Sequence, residues 1–171
     1  MGRFFSLVDT PEHREEFKRY YRIPSNVSIQ HCNPGEWHKN RPTGAVSIPM
    51  IAFIEGGMRI PTGRVTRDFL NLFRLCHIQC VPNMFRILGS VDALNEKLGI
   101  HLTHHDVNWV YSCQKGVDEG YYLKTRVLVV RLISCLPETN KGMDEDFLIV
   151  SREWHDGLHC PTQDGTLGGM A

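Results

Sequence analysis

Charge of one sign is what this chain most conspicuously lacks: nineteen Lys and Arg stand against nineteen Asp and Glu. The strongly basic footprint of a protein that lives on nucleic-acid phosphates is therefore missing. Long hydrophobic runs are missing too. The most apolar stretches, 48–54 and 127–133, fall far short of the roughly eighteen or more residues of a membrane-spanning helix. The opening MGRFFSLVDTPEHREEF has no long apolar core of a secretory signal, although Met1-Gly2 with Ser6 fits the short myristoylation pattern. Six cysteines, Cys32, Cys76, Cys80, Cys113, Cys135 and Cys160, sit in a chain long enough to bury a core without staples. They read as reduced thiols of an intracellular protein, nuclear or cytoplasmic.

Catalytic signatures are scarce as well. The chain holds no C-x-x-C pair, no G-x-S-x-G elbow, and no glycine-rich phosphate loop of either the G-x-G-x-x-G or the G-x-x-x-x-G-K-[ST] form. Asp164-Gly165-Thr166 has the composition of an aspartic-protease loop in the wrong order, and Asp144-Glu145-Asp146 reads as a solvated acidic turn. A Cys113 or Cys160 nucleophile with a histidine and Asp156 has no local signature to hold it together. The expectation is a protein that is not an enzyme and has no cofactor.

What is present is an α+β pattern, a mainly helical core with a small antiparallel sheet in the C-terminal third. Thr10-Pro11 caps and starts a helix that ends before Ile23-Pro24. Residues 24–44 break every period, with a short strand possible at Val27 to Ile29, and Ala45 to Ile54 is a buried element of either kind. Val65, Phe69, Leu72 and Phe73 share one face of a helix that begins after Thr62. Met84, Leu88, Val91, Leu94 and Leu98 form the stripe of a second, started by Pro82 and stopped by Gly99. Thr103 and Asp106 cap a third, with Val107, Val110 and Tyr111 facing inward. Strands follow at Gly120 to Arg126, Val127 to Ile133 and Asp146 to Val150. The chain divides into an N-terminal helical segment (1–22), one core (23–154) and a Gly-containing tail (155–171).

Several short blocks then occur in a familiar order: Gly57-Met58-Arg59-Ile60-Pro61, Pro82-Asn83-Met84-Phe85-Arg86-Ile87-Leu88, Gly120-Tyr121-Tyr122-Leu123 with Arg126, Asn140-Lys141-Gly142-Met143, and Asp146 to Val150 with Trp154. Their succession from about Ile23 to Trp154 resembles the gypsy-type transposon domain of plant retrotransposon-derived proteins. Met143 departs from that pattern, which has a tryptophan after the turn. The resemblance implies a non-enzymatic domain next to a gag-like region, an assembly or protein-interaction module whose partner is another protein or a second copy. It brings no catalytic residues with it.

Two other chemistries have candidate residues. A zinc-stabilised domain would draw on Cys76, Cys80, His104, His105, His155, His159 and Cys160, N and S ligands of the right kind whose spacing matches no zinc motif. Gly157 also argues against a helix presenting His155 and His159 on one face. No metal is assigned. A nucleic-acid-binding module would use Arg59, Arg64, Arg67, Arg74 and Arg86, with Trp37 and Tyr111 for stacking.

Overall fold

A computed structural model describes residues 2–33, 36, 42, 44–116, 120–134, 136 and 145–154. Its first helix, α1 (Pro11–Tyr20), begins where Thr10 Oγ1 accepts a hydrogen bond from His13 N at 3.1 Å, with Pro11 in the first turn where its missing N–H costs nothing. After it come β1 (Val27–Cys32), β2 (Val46–Pro49) and α2 (Met50–Ile54), so the stretch 45–54 is a strand that passes directly into a helix. The helical core follows as α3 (Arg64–Phe73), α4 (Pro82–Leu98) and α5 (His104–Val110), then β3 (Tyr111–Lys115), β4 (Tyr121–Thr125) and β5 (Phe147–Arg152). Single 3₁₀ turns occupy Phe5–Leu7 and His77–Gln79.

The strands form two antiparallel sheets. β5 is the middle strand of the larger one, paired with β1 from Val27 opposite Arg152 to Cys32 opposite Phe147, and with β2 from Val46 opposite Val150 to Pro49 opposite Phe147. That position explains its unbroken apolar run: Phe147, Leu148, Ile149 and Val150 are all buried, as a strand covered on both faces must be. β3 and β4 make the second sheet, Tyr111 opposite Thr125 and Lys115 opposite Tyr121. The α+β class expected from the pattern is what the chain adopts, with strands from the N-terminal part completing the larger sheet.

Phe69 and Leu70 of α3 and Met84, Phe85, Leu88 and Val91 of α4 make much of the core. Leu72, expected on the buried stripe, is exposed, and Leu70 is buried in its place. α4 outruns its neighbours, so Leu98 is exposed too, before Gly99 ends the helix in the left-handed region at φ +62°. α3 is capped from another element: Asp92 of α4 accepts from Val65 N at 2.8 Å, from Thr66 N at 3.1 Å and from Thr66 Oγ1 at 2.7 Å. A carboxylate there satisfies otherwise orphaned donors and faces the positive end of the helix.

The run Val127 to Ile133 is not a strand. β4 stops at Thr125 because its partner begins at Tyr111, and before Tyr111 the chain is helical. Among the described residues no extended backbone stands opposite to continue the ladder, and β-branched side chains alone do not make a strand.

Candidate functional site

Beyond β4 the chain closes a small loop instead. Arg126 N donates to Val110 O at 2.9 Å and Arg126 Nε to Asn108 O at 2.8 Å, which fixes one end of the loop against the C-terminus of α5. A turn follows, Val130 N donating to Val127 O at 3.0 Å. The other end is held by a buried side chain: Leu132 N and Ile133 N both donate to Tyr111 Oη, at 2.9 and 3.3 Å. Leu132 and Ile133 then pack against the core.

The four residues between these anchors turn their side chains to solvent. Leu128 is 87% exposed and Val129 84%, with Val127 and Val130 about half exposed. Trp109 lies between the two residues that hold Arg126, and it is 84% exposed. Single exposed apolar residues are ordinary on a protein surface. Val127 to Val130 form an unbroken apolar run on an anchored turn, and Trp109 is exposed on the adjoining last turn of α5. The loop is bracketed by Arg126 and Arg131, both exposed, and residues 120–136 include Lys124 and no Asp or Glu. No reading of the sequence had marked this surface. Its signal was present in the acid-free run and in Trp109, which falls between the inward-facing Val107 and Val110.

The candidate metal ligands are distributed differently from a zinc site. Cys76 and Cys80 flank the 3₁₀ turn at His77–Gln79, which packs on β2, whereas His104 and His105 begin α5. The expectation of reduced thiols fails at Cys76, which is disulfide-bonded, while Cys32, Cys80 and Cys113 are free. A disulfide sulfur offers no thiolate to a metal. Burial drives the Cys80 thiol well above its ordinary range and the Cys113 thiol up to about 11, so both are protonated at neutral pH in the metal-free chain. His155, His159 and Cys160 lie outside the described residues, as do the tail and the turn 140–143. Among the described residues no group of three or more His, Cys, Asp or Glu converges to hold a metal.

His104 and His105 border a cleft of about 760 Å³ between α3, α4 and α5, their rings 4.0 Å apart. His104 Nδ1 stands 4.0 Å from Asp68 Oδ2, too far for a hydrogen bond. Asp68 also faces Arg64 at 3.8 Å and Arg67 at 3.3 Å, and Asp92, on the same wall, is committed to capping α3. Asp68 and Asp92 are thus already employed by the fold, and the third carboxylate of the cleft, Glu96, is exposed.

The five candidate arginines do not act alike. Arg64 and Arg67 share Asp68, and Arg86 donates to Glu55 O from a half-buried position beneath Gly57. Arg59 is exposed in the segment before α3, and Arg74 is exposed at the opposite end of that helix. Tyr111, proposed for base stacking, is buried and holds the loop described above.

Asp146 departs furthest from its reading as a solvated turn. It is fully buried, with Oδ1 2.7 Å from His31 Nε2 and Oδ2 accepting from Phe4 N at 3.0 Å. Gly2 approaches so closely that a Cβ on it would lie 2.1 Å from Asp146 Oδ2. Phe5 sets its ring edge-on to His31 at 4.8 Å. This pair is a clamp that docks residues 2–5 on the larger sheet.

No family model, curated protein or solved structure matches this chain. Among the described residues no helix is long and apolar enough to cross a membrane.

Proposed function

We propose that the chain is a non-enzymatic interaction module whose working surface is the loop 126–131 together with Trp109. One observation carries this reading: four large apolar side chains are displayed on a turn that backbone and side-chain hydrogen bonds hold at both ends, with a fifth, Trp109, exposed on the last turn of α5 to which the loop is bonded. An apolar loop that is anchored loses little conformational freedom when it docks, so most of the free energy of covering it goes into binding. In water the partner at hand is a second copy, which makes weak self-association the expected behaviour. The resemblance to the plant gypsy-type transposon domain points the same way, toward a gag-adjacent assembly role.

Light scattering over a range of protein concentrations tests the reading. The apparent mass should rise above that of the monomer as concentration increases, and Leu128→Asp with Val129→Asp should hold it at the monomer value. A native protein that stays monomeric at every concentration overturns self-association through this surface.

A further inference from the structure

We propose that the covering partner of this loop is an anionic lipid bilayer, into whose headgroup region Val127 to Val130 and Trp109 insert. The inference rests on the reading of the loop as an interaction surface and names what that surface meets. Size is the first argument. Five side chains are few beside the roughly 20–30 residues a side of a standard stable protein interface, so a second copy covers them only weakly. A bilayer has no such requirement, because apolar side chains that enter it need match no facing shape.

Charge is the second. Arg126 and Arg131 bracket the apolar tip, Lys124 lies two residues before Arg126, and no acid occurs from 120 to 136. Anionic headgroups attract such cations within about a Debye length of the surface. Long basic side chains keep their charged ends at the headgroups while their stems follow apolar residues inward. Tryptophan is the side chain most at home at that boundary, and Trp109 stands beside the base of the loop. The arrangement is an apolar tip with a cationic collar, the same division of faces by which interfacial segments bind membranes.

Preorganisation is the third. The tip does not have to fold on arrival, since Val110 O, Asn108 O and Tyr111 Oη already hold its ends. Its main-chain polar groups are partly turned back on themselves through the Val130 to Val127 hydrogen bond. That lowers the cost of bringing them to a surface poor in water.

Sedimentation of the full chain with vesicles provides the test, using phosphatidylcholine alone and phosphatidylcholine with phosphatidylserine. The native protein should bind the anionic vesicles and bind the neutral ones far less. Leu128→Asp with Val129→Asp should weaken binding to anionic vesicles by roughly tenfold or more, as loss of buried apolar contact predicts. Lys124→Gln and Arg131→Gln should each weaken it by about fivefold and reduce the preference for anionic lipid. Circular dichroism of each variant should match the native spectrum, since all four positions are exposed. Absence of binding to anionic vesicles at low salt overturns the lipid proposal, as does binding that the Leu128 and Val129 substitutions leave unchanged. If light scattering still finds self-association through the loop in either case, the interaction module stands and only its lipid partner is refuted.

Discussion

Arg126 Nε donates to the main-chain oxygen of Asn108 at 2.8 Å, a bond that joins the residue after β4 to the last turn of α5 and so places the apolar turn beside Trp109. The opposite end depends on Tyr111 Oη, the acceptor for both Leu132 N and Ile133 N. Tyr111→Phe keeps the buried ring and removes the acceptor. It should cost about 1–3 kcal/mol, the range for leaving such donors unpaired. Amide exchange at Leu132 and Ile133 should accelerate more than at Leu88 in the core. Equal acceleration throughout would mean that the hydroxyl does not hold the loop.

Asp92, Thr66 and Gly63 form one unit. A Cβ on Gly63 would lie 2.2 Å from Asp92 Oδ2, so Gly63→Ala should push the carboxylate away from the amides it caps. Asp92→Ala should cost roughly 1–3 kcal/mol, because it leaves two amides and a hydroxyl without their acceptor. Urea denaturation of the double variant should show strong non-additivity, the Gly63 substitution costing little once Asp92 is gone. Additive costs would contradict the coupling.

The clamp at Asp146 offers a second stability test. Asp146→Ala removes the hydrogen-bond partner of both His31 and Phe4 N, and leaving such groups unpaired costs about 1–3 kcal/mol. Gly2→Ala should loosen the same contact with a smaller loss. Proteolysis near the N-terminus should become faster in both variants. If neither variant changes that rate, residues 2–5 owe their position to something other than Asp146.

His77 makes stability depend on acid. It is fully buried, stacked on Phe85 with ring centroids 6.0 Å apart, and among the described residues neither ring nitrogen has a hydrogen-bond partner. Desolvation holds its pKa down to about 4. Between pH 6.5 and about 4 the unfolded chain therefore carries a proton on this ring that the folded chain does not. Unfolding free energy should fall as pH drops through that window, by about 3 kcal/mol from this residue, and level off below it. His77→Phe should abolish that part of the slope in pH-dependent urea titrations. An unchanged slope would assign the acid sensitivity to other groups.

Local chemistry made much of this fold legible in the sequence. Thr10 with Pro11, Gly99 at the end of α4, and Thr103 with Asp106, whose Oδ2 accepts from Thr103 N at 2.7 Å, each act over a few residues. The remaining features depend on what the fold brings opposite. The segment 127–133 has the composition of a strand and lacks only a neighbour, because Tyr111 ends the ladder. Asp146 looked solvated beside Asp144 and Glu145, yet its partners His31 and Phe4 arrive from more than a hundred residues away. The larger sheet likewise joins β1 to β5 across the whole length of the core. Leu72 and Leu98 kept the helical period and lost the neighbouring element that would have covered them.

Nitrogen–proton correlation spectra recorded at low and at high protein concentration test whether copies of the chain meet through the surface around Leu128. Resonances of Trp109 and of residues 126–131 should shift as concentration rises, while those of the α3 and α4 core stay in place. Shifts centred elsewhere, or spectra identical at both concentrations, would contradict that contact.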